Sequence, residues 1–242
     1  MKLSHSVAAV LLMAIGAAAQ AEVTGTIGAV SDYDFRGVSL SAKDPAVQGS
    51  IDWAHDSGFY AGAWASNIDY GDEFDGNIEV DLYAGFAGES EAGLGWDVGL
   101  VYYTYPDSSE SNTKLQIEAY PELYAGLTYS FFELKQWYTN DYGGSDLDAF
   151  YTEGNATFEL PANFSLGLHL GYNYGDAFDG GPGEDDFDYM DYSIGVGYTL
   201  GHFDLNLKYV DNDLDEQNED DVFNTEGRVI FSVATTFPWS NE

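Results

Sequence analysis

From Val23 to Phe237, apolar and polar side chains alternate through segments of about ten residues. The connections alternate as well, a short turn and then a longer acidic loop. A period of two gives each segment one face for an apolar medium and one for water. A chain patterned this way throughout, with its short turns all on one side, predicts an all-β fold: a transmembrane, antiparallel, up-and-down β-barrel of about 12 strands. Such a barrel works through its lumen and its loops.

Residues 77–87 carry the pattern most clearly, with Ile78, Val80, Leu82, Ala84 and Phe86 on one face and Glu79, Asp81, Tyr83 and Gly85 on the other. Segments 94–105, 164–174, 189–200, 203–210 and 228–237 repeat it. Segments 23–35, 45–55, 59–67, 117–129, 132–141 and 149–160 complete the set, with register open at Glu133-Leu134-Lys135, where a one-residue slip exchanges the faces. A midplane charge facing lipid costs roughly 2–4 kcal/mol for Lys or Arg, so the apolar faces point outward and the polar ones into the lumen. Short connections fall at 56–58, 88–93, 130–131, 161–163 and 201–202, and longer ones at 37–44, 68–76, 106–114, 142–148, 175–188 and 211–224. Greek-key sandwiches do not sort loop lengths in this way. Aromatic residues expected at interface girdles are Tyr102, Tyr103, Tyr105, Trp137, Tyr138, Tyr172 and Tyr174 on the long-loop side. Trp53, Phe59, Tyr60, Phe131, Phe132, Tyr198, Phe203 and Phe237 are their counterparts on the turn side.

Residues 1–21 read as a secretory signal peptide: Lys2, an apolar run over 7–15, and Ala19-Gln20-Ala21 as a small-x-small cleavage site. The barrel domain is then residues 22–242. The formal net charge of −35 argues against a nucleic-acid partner, and the absence of cysteine removes disulfides, thiolate metal sites and a cysteine nucleophile.

The acidic loops carry Asp176, Asp179, Glu184, Asp185, Asp186 and Asp188 in one stretch and Asp211, Asp213 and Asp215 in another. The second resembles the start of a calcium loop, but Glu216 stands where the turn needs Gly. No metal site and no cofactor are expected. His169 falls on a lumenal face, and a hydrolase built on it would need a partner Ser and carboxylate that no motif supplies. The lumen is the stronger signal. Its acidic candidates are Asp52, Glu79, Asp81, Asp97, Glu118, Glu122, Glu153, Asp191 and Asp204, and its basic ones Arg36, Lys208 and Arg228. A carboxylate-lined pore attracts cations and repels anions. Arg36 is the expected partner of lumenal acids and a candidate plug residue.

Residues 31–39 (Ser-Asp-Tyr-Asp-Phe-Arg-Gly-Val-Ser), Ser57-Gly58-Phe59-Tyr60-Ala61-Gly62 and Tyr120-Pro121-Glu122-Leu123-Tyr124-Ala125-Gly126-Leu127 carry a resemblance to the TorF-type porins of bacterial outer membranes. The resemblance implies an outer-membrane barrel with no cofactor, embedded in outer-membrane lipid and lipopolysaccharide. It also implies insertion by the barrel-assembly machinery and passage of small hydrophilic solutes or cations. Barrels of this kind end in an aromatic residue; here Phe237 fits, but Pro238-Trp239-Ser240-Asn241-Glu242 follows. The expected function is passive diffusion of small hydrophilic solutes with a cation preference. The alternative is a closed structural or adhesive barrel acting through its acidic loops.

Overall fold

The computed structural model describes residues 22–72, 74–109, 114–180, 186–214 and 226–239. The expected signal peptide lies outside these residues, as do Glu184, Asp185, Asp215 and Glu216. Twelve strands close one antiparallel barrel. They are β1 (Glu22–Val30), β2 (Ala46–Ala54), β3 (Phe59–Asn67), β4 (Ile78–Glu89), β5 (Leu94–Thr104) and β6 (Tyr120–Tyr129), followed by β7 (Phe132–Thr139), β8 (Ala149–Leu160), β9 (Phe164–Tyr174), β10 (Tyr189–Leu200), β11 (Phe203–Asn212) and β12 (Arg228–Phe237). Each strand pairs with its neighbours in sequence, and β1 closes on β12 from Gly25↔Phe237 to Val30↔Ser232. Closure leaves no strand edge unpaired.

The alternation sorts the side chains as the pattern requires. Ile51, Leu82, Val98, Leu127, Leu168, Ile194, Leu207 and Phe231 stand exposed on the outer wall, an apolar belt too extensive for water. Glu79, Asp81, Tyr83, Glu122, Tyr124 and Asp191 are buried on the inner wall. The open register of β7 resolves with Leu134 outward (45% exposed) and Glu133 and Lys135 inward (6% and 5%).

Two expectations are corrected. The first strand stops at Val30 rather than continuing to residue 35, because the chain turns into the barrel. The strand expected from residue 117 begins at Tyr120, which leaves Glu118 exposed in the preceding connection, where it packs against Gly144. The girdles hold at Tyr102, Tyr172, Phe131, Phe132, Tyr198, Phe203 and Phe237, all exposed on the wall. Tyr60 and Tyr103 instead point inward and are buried, and Trp137 packs with them.

Candidate functional site

Residues 31–45, between β1 and β2, form a loop inside the lumen. Its tip is a two-stranded ribbon, Asp34–Phe35 against Val38–Ser39, joined by Arg36 and Gly37. Both joining residues have positive φ, 50° and 83°, the backbone of a tight hairpin turn whose twist suits short paired strands. Gly37 is required twice over: a Cβ there would stand 2.6 Å from Asp191 Cβ. At the base of the loop, the Ser39 and Ser41 hydroxyls donate to Asp32, and Leu40 N–H bonds the Tyr33 carbonyl.

The tip reaches across the lumen to β6. Arg36 Nη1 and Nη2 donate to Glu122 Oε1 and Oε2 at 3.0 and 2.6 Å, a bidentate pair that Tyr103 OH joins at 2.9 Å. The guanidinium lies over the rings of Phe35 (4.7 Å) and Tyr151 (4.4 Å). Burial works against its charge, but the Glu122 carboxylate more than compensates and holds the guanidinium well above its ordinary pKa.

The opposite wall grips the ribbon from its base to its turn. Lys208 Nζ lies 2.6 Å from Asp34 Oδ2, Arg228 Nη2 lies 2.8 Å from Asp34 Oδ1, and Arg228 Nε bonds Asp32. The Gly37 carbonyl accepts from Arg228 Nη1 at 2.9 Å and Asn212 Nδ2 at 2.8 Å. Tyr33 OH donates to Glu79 Oε1 at 3.1 Å; burial, and then the Glu79 charge, keeps this phenol protonated as the donor. All three basic residues singled out in the sequence thus serve one purpose, fastening this loop.

The acidic candidates, Glu118 excepted, lie on the lumenal wall. Asp52 accepts from Tyr83 OH and Ser50 Oγ, and Asp97 from Tyr60 OH at 2.5 Å. Glu153 accepts from the Trp137 indole at 2.7 Å, and Asp204 from Thr199 Oγ1 at 2.7 Å near the turn end. Asp191 meets His169 Nε2 at 2.7 Å and Tyr151 OH at 3.2 Å. Glu79, Glu122 and Asp191 are each only 1% exposed, so the lumen is filled at the height of the loop. Toward the turn end it opens: a Cβ built at Gly167 would meet no atom within 4 Å.

Glu79 Oε2 and Asp81 Oδ1 are buried without a hydrogen-bond partner among the described residues. His169 has both ring nitrogens engaged, Nδ1 with Asn155 Oδ1 at 2.7 Å and Nε2 with Asp191, and among the described residues no serine hydroxyl bonds either. Among the described residues no three His, Asp or Glu groups converge to hold a metal ion.

Sequence reasoning missed Asp32 and Asp34, hidden in an apparent strand, and Lys135 and Glu133, left to the open register. It also missed the lumenal tyrosines Tyr60, Tyr103 and Tyr124, whereas Tyr83 lies on the inner face that its alternation predicts. The inward parity of Tyr103 and Tyr124 was readable, since they share strand faces with Asp97 and Glu122, already assigned to the lumen; the Ala- and Gly-rich segment around Tyr60 offered no such marker.

Residues 14–237 match the sequence profile of a family described as "Bacterial protein of unknown function (Gcw_chp)". The chain belongs to this family. Among curated proteins none matches it. Solved structures similar to this Gcw_chp barrel include a KdgM porin in complex with disordered oligogalacturonate, at 8% identity and a TM-score of 0.54, with 90% of this chain and 100% of that one covered. The NanC porin follows at 11% identity and 0.53, with 90% and 100% covered. At these identities the likeness is one of fold.

Proposed function

We propose that the protein is a porin-like channel of the bacterial outer membrane, of the TorF type. It lets small hydrophilic solutes diffuse passively, prefers cations and catalyses no reaction. The observation that carries this reading is the pairing of a closed barrel and apolar outer wall with a lumen in which carboxylates outnumber cations. Arg36, Lys208 and Arg228 are each neutralised by a close carboxylate, so the field left for a passing ion is set by the surplus acids. The fold it shares with the KdgM and NanC porins supports a channel. The ligand named with KdgM is an anionic sugar polymer, whose charge this lumen would repel.

In this reading residues 1–21 are the export signal, outer-membrane lipid and lipopolysaccharide cover the belt, and the barrel-assembly machinery inserts it. Single-channel recording under a potassium chloride gradient tests the channel. Stable current steps with a cation-selective reversal potential are expected, and an anion-selective potential would overturn the preference. A second reading, a closed structural barrel, is favoured by the filled lumen at the loop. Silence from demonstrably folded protein would establish it.

A further inference from the structure

Beneath the loop, Asp97 on β5, Tyr124 on β6 and Trp137 on β7 form a box around a single ammonium group. Its occupant is the chain's own Lys135, whose Nζ lies 5.0 Å from the Tyr124 ring centroid, 5.3 Å from that of Trp137 and 3.7 Å from Asp97 Oδ2. Tyr60 OH braces the back of the box, 2.5 Å from both Asp97 Oδ1 and Tyr124 OH. The lysine stem reaches the box alongside Gly126, where a Cβ would stand 3.1 Å from Lys135 Cε.

Two aromatic faces and a carboxylate around one cation is the chemistry that recognises an alkylammonium. The seat is looser than a direct ion pair. Charge-assisted bonds run at about 2.7–2.9 Å, and those of Arg36 and Lys208 close to 2.6 Å, whereas Lys135 stands off from Asp97 at 3.7 Å. The Asp97 side chain also keeps 21% of its surface exposed, so the box has a side open to the lumen.

We infer that the Asp97–Tyr124–Trp137 box is a transit site for small alkylammonium cations, with Lys135 as its tethered competitor. The inference rests on the channel reading and narrows its solute class. A tethered group is present at an effective concentration of about millimolar or more, so a free amine must displace it and binds correspondingly weakly. Weak binding with rapid release is what conduction asks of a site inside a pore.

The test is a titration of n-butylammonium, which copies the lysine side chain, into refolded full-length protein in micelles, followed by tryptophan fluorescence. A Trp137→Phe background assigns the signal. The wild type should respond only at about 10 mM or above, and Lys135→Ala should bind at least tenfold more tightly by removal of the tether. Adding Asp97→Asn to Lys135→Ala should abolish the response. Gly126→Ala, which crowds the stem without deleting it, should shift affinity in the same direction and serves if Lys135→Ala does not fold. A folded Lys135→Ala or Gly126→Ala with wild-type affinity, or a response that survives Asp97→Asn, overturns the inference. Single-channel current is read separately. Binding without current overturns the channel reading and leaves the site, while potassium current without binding does the reverse.

Discussion

Arg36 and Glu122 meet where neither charge reaches water, and that sets what each can tolerate. Removing one member of a buried pair strands the other in a low-dielectric interior. Arg36→Ala should therefore cost roughly 3–5 kcal/mol, read as a lower denaturant midpoint in micelles, while Arg36→Met with Glu122→Met should recover most of the loss. A single variant within about 1 kcal/mol of wild type would contradict the buried pair. Asp81 is the opposite case, a buried carboxylate beside Glu79 with an oxygen left unpaired. Asp81→Asn keeps the shape and offers Glu79 an amide donor in place of a second carboxyl, and thermal unfolding should move up by about 2–4 °C. A lower midpoint would mean that the Asp81 carboxyl has a compensating partner. Arg36 was legible in the sequence as a partner for lumenal acids, because cations are few in so acidic a chain. Which acid it meets was not, since 86 residues separate it from Glu122 and only barrel closure brings them together.

At the scale of elements, β3, β8, β9, β10 and β12 have the ends that their alternation and turn residues indicate. The clean alternation persists because a slip would turn a whole face of apolar groups to water or of polar groups to lipid. Of the two misread elements, the first departs further. Residues 31–35 keep a strand-like rhythm, yet Asp32 and Asp34 leave the wall to meet Arg228 and Lys208. That force is long-range charge, which a local pattern does not encode. The inner and outer faces make opposite demands of neighbouring positions. Leu168→Arg on the belt should cost about 2–4 kcal/mol of folding free energy in bilayers, whereas Gly167→Arg, facing open lumen, should be borne with little loss. Equal costs would refute the assignment of faces. Past β12, Trp239 stacks on Phe237 and His202 at 4.8 and 5.0 Å and bonds Thr235 Oγ1 at 3.0 Å. Trp239→Ala should lower stability by about 0.5–1.5 kcal/mol, and an unchanged midpoint would mean that the tail is passive.

For the molecule as a whole, architecture was legible because an apolar exterior and a polar interior are written into every strand. The state of the lumen was not, because the loop that fills it is held by contacts to β4, β6, β11 and β12 at once. The central claim is that residues 31–45 set the narrowest passage of a carboxylate-lined channel. The measurement that tests it most directly compares single-channel conductance of the wild type with that of Arg36→Gln/Glu122→Gln, which removes the ion pair holding the loop tip to β6 without stranding a charge. Larger steps in the variant, with cation preference kept, are the expected result. Identical conductance from two folded proteins would contradict the claim and place the constriction elsewhere in the barrel.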